Sequence, residues 1–325
     1  MSAYTNIDGI PLSVAVFLAT DYYDYEPGVI SATSLIKPVR QTILAGRVPP
    51  AEKVVDISSL VKSRMGTAIH DGIEKSWKTN YGNALKSLGY SDEIISRVVI
   101  NPTTDEELPA NAIPVYMEQR VYKEFAGVKL SGKYDFIAEG RLEDFKSTSV
   151  YTYLKGTKDS DYQLQGSIYR WLDPHVITQD HMAIQFIFTD WMPGRAAADP
   201  KYPKKATHAH LIPLLSLDDT EQYVNSKLTQ INRAKNLPEE ELPRCSDADL
   251  WRSAPAFKYY KNPEKRSRAT KNFDNAADAH ARKAADGNVG VVVEIPGRAV
   301  ACRYCAGFAL CTQKDELLAT GDLEL

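Results

Sequence analysis

Apolar and polar positions alternate in two blocks that meet at a tight turn. Val128 to Ala138 and Arg141 to Ser147 follow the period of two expected of strands, and Glu139-Gly140 between them has the length and the second-position glycine of a hairpin turn. With the turn placed there, Asp135 faces Asp144 across the strand pair. Lys146, two positions beyond Asp144, points to the same face. Tyr134, Phe136 and Phe145 read as the opposite, core-forming face.

The rest of the pattern builds around this hairpin. The apolar piece Ser13 to Ala19 and the tyrosine-rich acidic stretch Asp21 to Glu26 carry no motif. Ser31 to Ser34 supplies a helix cap for Leu35 to Ala45, with Pro49-Pro50 as the break. Ser58 to Trp77 reads as a helix that places His70, Glu74 and Trp77 on one face. Residues 79–110 read as a second helical segment and a polar loop. Val115 to Phe125 alternates as a strand ahead of the hairpin, and Glu118 on it offers a third carboxylate.

Ser160 to Leu172 reads as a helix despite Gly166, with Tyr162, Gln165, Tyr169 and Leu172 on one face. Strands at Ala183 to Trp191 and Thr207 to Leu215 precede an amphipathic helix, Leu217 to Lys235. A helix through Asn272 to Asp286, a strand at Val289 to Ile295 and a short tail from Leu317 complete the reading. The sum is an α/β protein, a central mixed sheet flanked by helices. Three segments follow: an N-terminal extension (1–29), a main body (30–237) and a C-terminal cysteine-bearing region (238–325).

Composition narrows the classes. The 325 residues carry a net charge of −3, so nucleic acid would be met by local patches and not by a global field. No apolar run approaches the ~20 residues of a membrane span, and the first residues lack the layout of a secretion signal. A cytoplasmic protein without a membrane partner is the expectation. There is no glycine-rich dinucleotide motif and no P-loop.

The chemistry concentrates in two places. Opposed carboxylates destabilise a hairpin unless one is protonated or a cation lies between them, and Mg²⁺ or Mn²⁺ is held by such a pair. A lysine beside it suits activation of water for phosphodiester hydrolysis. The second place is Cys302-Arg-Tyr-Cys305 with Cys311 six residues on and Cys245 upstream. Four thiolates fit either tetrahedral Zn²⁺ or a [4Fe–4S] cluster. Between Cys245 and Cys302 lies a basic aromatic run, with Lys258, Tyr259, Tyr260, Lys261, Lys265, Arg266 and Arg268 suited to a nucleic-acid backbone and its bases.

Four short motifs in order resemble RecB-like and phage-exonuclease members of the PD-(D/E)xK nuclease superfamily. They are Gly66-Thr67-Ala68-Ile69-His70, Gly132-Lys133-Tyr134-Asp135, Asp144-Phe145-Lys146 and Gln165-Gly166-Ser167-Ile168-Tyr169. The resemblance implies a restriction-endonuclease-like core with a C-terminal extension stapled by a metal or Fe–S cluster. It makes His70, Asp135, Asp144 and the Phe145 carbonyl metal ligands, Lys146 the residue that positions or activates water, and Gln165 and Tyr169 contacts to the DNA strand. It also implies an iron–sulfur staple at Cys302, Cys305 and Cys311. One departure stands out: the relatives place their first cluster cysteine before the nuclease motifs, whereas Cys245 follows them.

The expected activity is that of a metal-dependent deoxyribonuclease, an exonuclease of phage or mobile-element recombination whose partners are DNA and a recombination (annealing) protein. The rival from another class is a non-catalytic DNA-binding or scaffolding protein stapled by the four cysteines.

Overall fold

The computed structural model describes residues 3–21, 26–49, 54–103, 107–156 and 158–324. Pro50 of the expected break and Tyr22 to Tyr25 of the acidic stretch lie outside them. The chain begins β1 (Ala3–Thr5), α1 (Leu12–Ala19), β2 (Val29–Ser31), α2 (Ala32–Ile36), α3 (Val39–Arg47), β3 (Val54–Asp56), α4 (Val61–Ser87), α5 (Asp92–Arg97) and β4 (Val98–Ile100). It continues β5 (Ile113–Phe125), β6 (Val128–Ala138), β7 (Arg141–Thr148), α6 (Val150–Lys155), α7 (Asp159–Leu172), β8 (His181–Phe188), α8 (Pro193–Ala198), β9 (Thr207–Pro213) and α9 (Leu217–Ala234). Last come β10 (Ala256–Tyr260), β11 (Lys271–Phe273), α10 (Ala276–Ala285), β12 (Val291–Ile295) and α11 (Thr312–Ala319).

Two compact units result. One is Met1–Ile36 with Val54–Thr229, the other Lys37–Lys53 with Gln230–Leu325. The division differs from the segments 1–29, 30–237 and 238–325, because residues before 30 join the first unit and 37–53 the second. Pro38 is the cause. It has no N–H to donate and disfavours helix at Lys37, so the expected helix Leu35 to Ala45 is two helices, α2 and α3.

The first unit is built on a mixed sheet ordered β4-β5-β6-β7-β8-β9, with β2 added along β6. The hairpin register matches the alternation: Ala138 pairs with Arg141, Ile137 with Leu142 and Phe136 with Glu143. Glu139 and Gly140 both take positive φ, 50° and 76°, as a two-residue turn matched to strand twist requires. Pairing of β6 with β7 then stops. Beyond it β7 runs parallel to β8, while the same edge of β6 is taken up by β2 at Lys129 to Ser131. Residues 132–135 of β6 therefore face a gap in the sheet on that side.

A crease crosses the sheet at the same level. Tyr134, Leu130 and Ile137 belong to the main core, whereas Phe136, Met117, Val115 and Phe145 form a separate cluster with Trp77. Strict alternation would put Tyr134 with Phe136. Instead both β5 and β6 exchange faces at the Glu118–Asp135 level, where the ladder skips a pair between Met117↔Phe136 and Gln119↔Tyr134. Glu118 has φ 51°, which accounts for the change. The expected common face for Tyr134, Phe136 and Phe145 is thus corrected.

Helix α7 closes over the main core with Ile168, Tyr169, Trp171 and Leu172 buried. Its approach is set by two glycines. A Cβ on Gly166 would meet Met182 Sδ at 2.3 Å, and one on Gly132 would meet Leu172 Cδ1 and Tyr169 Cδ1 at 2.7 Å. Helix α4 runs to Ser87, well past the expected end at Trp77, and no helix of the described residues is long and apolar enough to cross a membrane.

In the second unit β10 is the middle strand of a three-stranded antiparallel sheet, between β11 and β12. The stretch from Leu317, expected as a tail, contains the last three residues of α11, and Leu317 and Leu323 are buried with Leu250 and Ala299.

Gly132→Ala is expected to lower stability by about 1–3 kcal/mol through overpacking, read as a drop in thermal midpoint. Gly66→Ala, whose Cβ would lie an ordinary 3.5 Å from Ser147 Oγ, should leave the midpoint unchanged or raise it.

Candidate metal centre and cysteine cluster

The gap between β6 and β7 collects the polar residues of the first unit. Where the ladder would continue, the Asp135 side chain takes over: its Oδ2 accepts the Phe145 N–H at 3.0 Å. The freed Phe145 carbonyl accepts from His70 Nε2 at 3.0 Å. His70 reaches in from α4, with Nδ1 3.4 Å from Asp135 Oδ2 and 3.8 Å from Glu118 Oε1. His70, Glu118 and Asp135 place ligand atoms within 4.8 Å of one another, as a cation site requires. The alternation of β5 and β6 also brings Lys133 to this group, 2.6 Å from Glu118 Oε2.

Asp144 lies beside this trio on β7 and is 3% exposed. Its Oδ1 accepts from Gln165 Nε2 at 3.4 Å, and the same amide donates to the Tyr169 hydroxyl at 3.1 Å. Its Oδ2 is met by the Lys146 ammonium, Nζ at 2.5 Å. Asp144 is not in the His70–Glu118–Asp135 grouping, so Glu118 is more central to the site than the sequence made it.

The charge states follow from burial and neighbours. Burial, then the Asp144 charge, push the Asp135 carboxyl up to about 6 against the pull of His70, Lys146 and the Phe145 N–H. Burial pulls His70 down, but Glu118, Asp135 and the Phe145 carbonyl outweigh it and the imidazole is raised. Lys146 behaves alike: desolvation works against its charge, the two aspartates prevail, and it is held above the ordinary lysine value. Burial pushes the Tyr169 phenol up, so it stays a neutral hydroxyl. A cavity of about 570 Å³ opens on this group, and its lining includes Lys62, Arg64, Arg120 and Lys133.

All four cysteines lie in the second unit, where no three of their sulfurs come within 4.8 Å of one another. Cys245 and Cys302 pack on the Leu250–Leu317 cluster and Cys311 on the Val39–Leu242 cluster. Burial, then Asp249, Cys311 and Cys305, push the Cys245 thiol up to about 12. Cys302 is likewise raised, first by burial and then by Cys305 and Cys311, and Cys305 by burial and Cys311 against the Gly307 N–H. Such mutual disfavour among thiols is what a bound cation relieves.

Sequence reasoning missed Arg40. This arginine of α3 is 3% exposed, donates Nε to Cys311 Sγ at 3.3 Å and Nη1 to the Leu242 carbonyl at 3.1 Å, and pairs with Glu239. An N–H aimed at sulfur suits a thiolate.

The basic run divides. Lys261, Lys265, Arg266 and Arg268 are exposed on the loop after β10. Tyr259 and Tyr260 are not: they are 0% and 7% exposed, and the Tyr259 hydroxyl donates to Asp286 Oδ2 and the Val289 carbonyl. As residues of a central strand their rings are core, which corrects the expected base-stacking role. Lys258 on the same strand is half-buried.

No family model matches the chain, and no curated protein matches it. Among solved structures, the protein SSO0001 is similar at 16% identity over 64% of this chain and 78% of that one, with a TM-score of 0.39. A phage-related exonuclease from Haemophilus somnus 129PT is similar at 15% identity over 64% and 94%, with a TM-score of 0.27. At such scores neither likeness assigns an activity.

Proposed function

We propose that the first unit is a metal-dependent deoxyribonuclease of the PD-(D/E)xK kind, acting on DNA ends in phage or mobile-element recombination. The observation that carries this reading is the meeting of Asp135, Asp144, His70, Lys146 and the Phe145 carbonyl where β6 and β7 part. The residues that would hold Mg²⁺ or Mn²⁺ are His70, Asp135, Asp144 and the Phe145 carbonyl, with Glu118 beside them. Such an ion, when bound, lowers the pKa of its water and offsets charge on the scissile phosphate.

The chain's own groups do the rest. Gln165 orients Asp144 and is itself held by Tyr169. Lys146, kept protonated by the two aspartates, places a positive charge beside the attacked phosphorus and steers the water toward it. Lys62, Arg64, Arg120 and Lys133 line the cavity that would admit the phosphate backbone.

In the second unit we propose that Cys245, Cys302, Cys305 and Cys311 hold a [4Fe–4S] cluster, with Zn²⁺ as the alternative. The Arg40 contact to Cys311 supports a thiolate site of either kind.

Asp144→Ala and Lys146→Ala are each expected to cut hydrolysis of linear DNA by about 10² or more with the circular dichroism spectrum retained. Wild-type rates in either variant remove the assignment, and binding of DNA without degradation in Mg²⁺ or Mn²⁺ favours the scaffolding reading.

Cation affinity should depend on pH through Asp135, which binds a proton up to about pH 6 in the metal-free protein. Manganese affinity measured by calorimetry is expected to fall as pH drops below that value and to level off above it. The metal-free fold has the opposite trend. Its Asp135 binds a proton more tightly than an unfolded aspartate of pKa about 3.9, so this group's contribution to stability declines as pH rises from about 4 to about 6. Denaturant midpoints across that window check the sign.

Anaerobically purified protein is expected to show visible thiolate-to-iron absorbance with matching iron and sulfide, lost in Cys305→Ser. A colourless protein with one zinc per chain decides for the alternative.

A further inference from the structure

The face of β7 that carries Asp144 and Lys146 continues to Thr148, two residues and about 6.6 Å further along the strand. Strand register carries that face sideways. Lys146 pairs with Phe186 of β8, and Phe186 with His208 of β9, while Asp144 leads through Ile184 to His210. Two helices lean over this part of the sheet, α6 with Tyr153 and α7 with Tyr162. The result is a cavity of about 210 Å³ whose walls include Tyr153, Tyr162, Phe186 and His210, with Thr148 and Asp159 at its polar side.

The rings are arranged as a partly open box. Tyr153 meets Phe186 edge-on with centroids 5.1 Å apart and lies 5.2 Å from His208. His208 and His210 stack at 6.4 Å. His210 is fixed by Asp159, Nε2 to Oδ2 at 2.9 Å. Tyr162 joins the box to the metal centre, since the Lys146 ammonium lies 5.8 Å from its ring centroid. A flat aromatic ligand held here would therefore lie beside the lysine.

We propose that this cavity is a nucleobase subsite, which takes the base of a nucleotide adjoining the bond to be cleaved. The proposal rests on the hydrolytic reading of the Asp135–Asp144 centre for its choice of ligand. A strand whose phosphate sits at Lys146 presents its neighbouring base within the reach of one nucleotide, and sequence-tolerant stacking on aromatic rings is a recurrent way to hold single strands. The base would stack among Tyr153, Tyr162 and His210, with its polar edge toward Asp159 and Thr148.

The test uses the full chain and a linear DNA carrying 2-aminopurine in its terminal positions, with Ca²⁺ in place of Mg²⁺ so that binding is read without cleavage. Wild type is expected to quench the fluorophore, and His208→Ala/His210→Ala to quench it at least twofold less. Tyr153→Leu should do the same, and the histidine pair keeps the test valid if that variant unfolds.

A companion substrate with abasic terminal positions should bind wild type about tenfold more weakly than the normal strand, and the histidine double variant should show no such difference. Equal quenching in wild type and variants overturns the subsite, as does a variant that weakens normal and abasic strands alike. Because fluorescence and binding are read in Ca²⁺, loss of the subsite is distinguishable from loss of hydrolysis, which Asp144→Ala reports separately.

Discussion

The geometry of the first unit depends on one backbone constraint, the left-handed conformation of Glu118 in the middle of β5. A non-glycine residue there costs on the order of 1–3 kcal/mol and persists only where its surroundings hold it. Here they do. Met117 and Gln119 remain paired with β6 on either side, and the Glu118 carboxylate is held by Lys133 and His70. The crease turns the side chains of β5 and β6 over, and so it lets Asp135 drop into the plane of the sheet instead of onto a face. From there it reaches the Phe145 N–H, and the released carbonyl reaches His70.

Charge explains why such a gap is worth holding open. Asp135 and Asp144 are not partners in the β6–β7 ladder, yet the Asp144 charge still disfavours ionisation of Asp135. Lys146 and His70 offset this in the metal-free protein, one against Asp144 and one against Asp135. Neither removes it: the Asp135 carboxyl still sits well above its usual range. The three carboxylates are thus balanced by Lys133, Lys146 and His70, and Asp135, whose counter-charge is an imidazole, is left raised.

Much of this was legible in the chain. The hairpin, its turn and its register follow from alternation and from Gly140, and the helix that carries Gln165 and Tyr169 follows from their spacing. The crease was not legible, because the left-handed residue is a glutamate and not a glycine. Reading alternation through it wrongly grouped Tyr134 with Phe136. Pro38 did announce the break between α2 and α3, and treating Leu35 to Ala45 as one helix overlooked the missing N–H. Tyr259 and Tyr260 misled for another reason: a strand with partners on both sides buries its aromatic residues, and lysines on either side of them do not reveal that. Arg40 lay beyond sequence reasoning altogether, since its partners are 199 or more positions away.

Arg40 repeats in the second unit the logic of Lys146 in the first. A buried guanidinium is costly unless its donors are met, and Glu239, two carbonyls, the Thr312 hydroxyl and Cys311 sulfur meet them. With a neutral thiol the last contact is weak; with a thiolate it is a charge-assisted hydrogen bond. Each unit has thus set a permanent cation against a buried acceptor, Lys146 against Asp144 in the first and Arg40 against Glu239 and the Cys311 sulfur in the second.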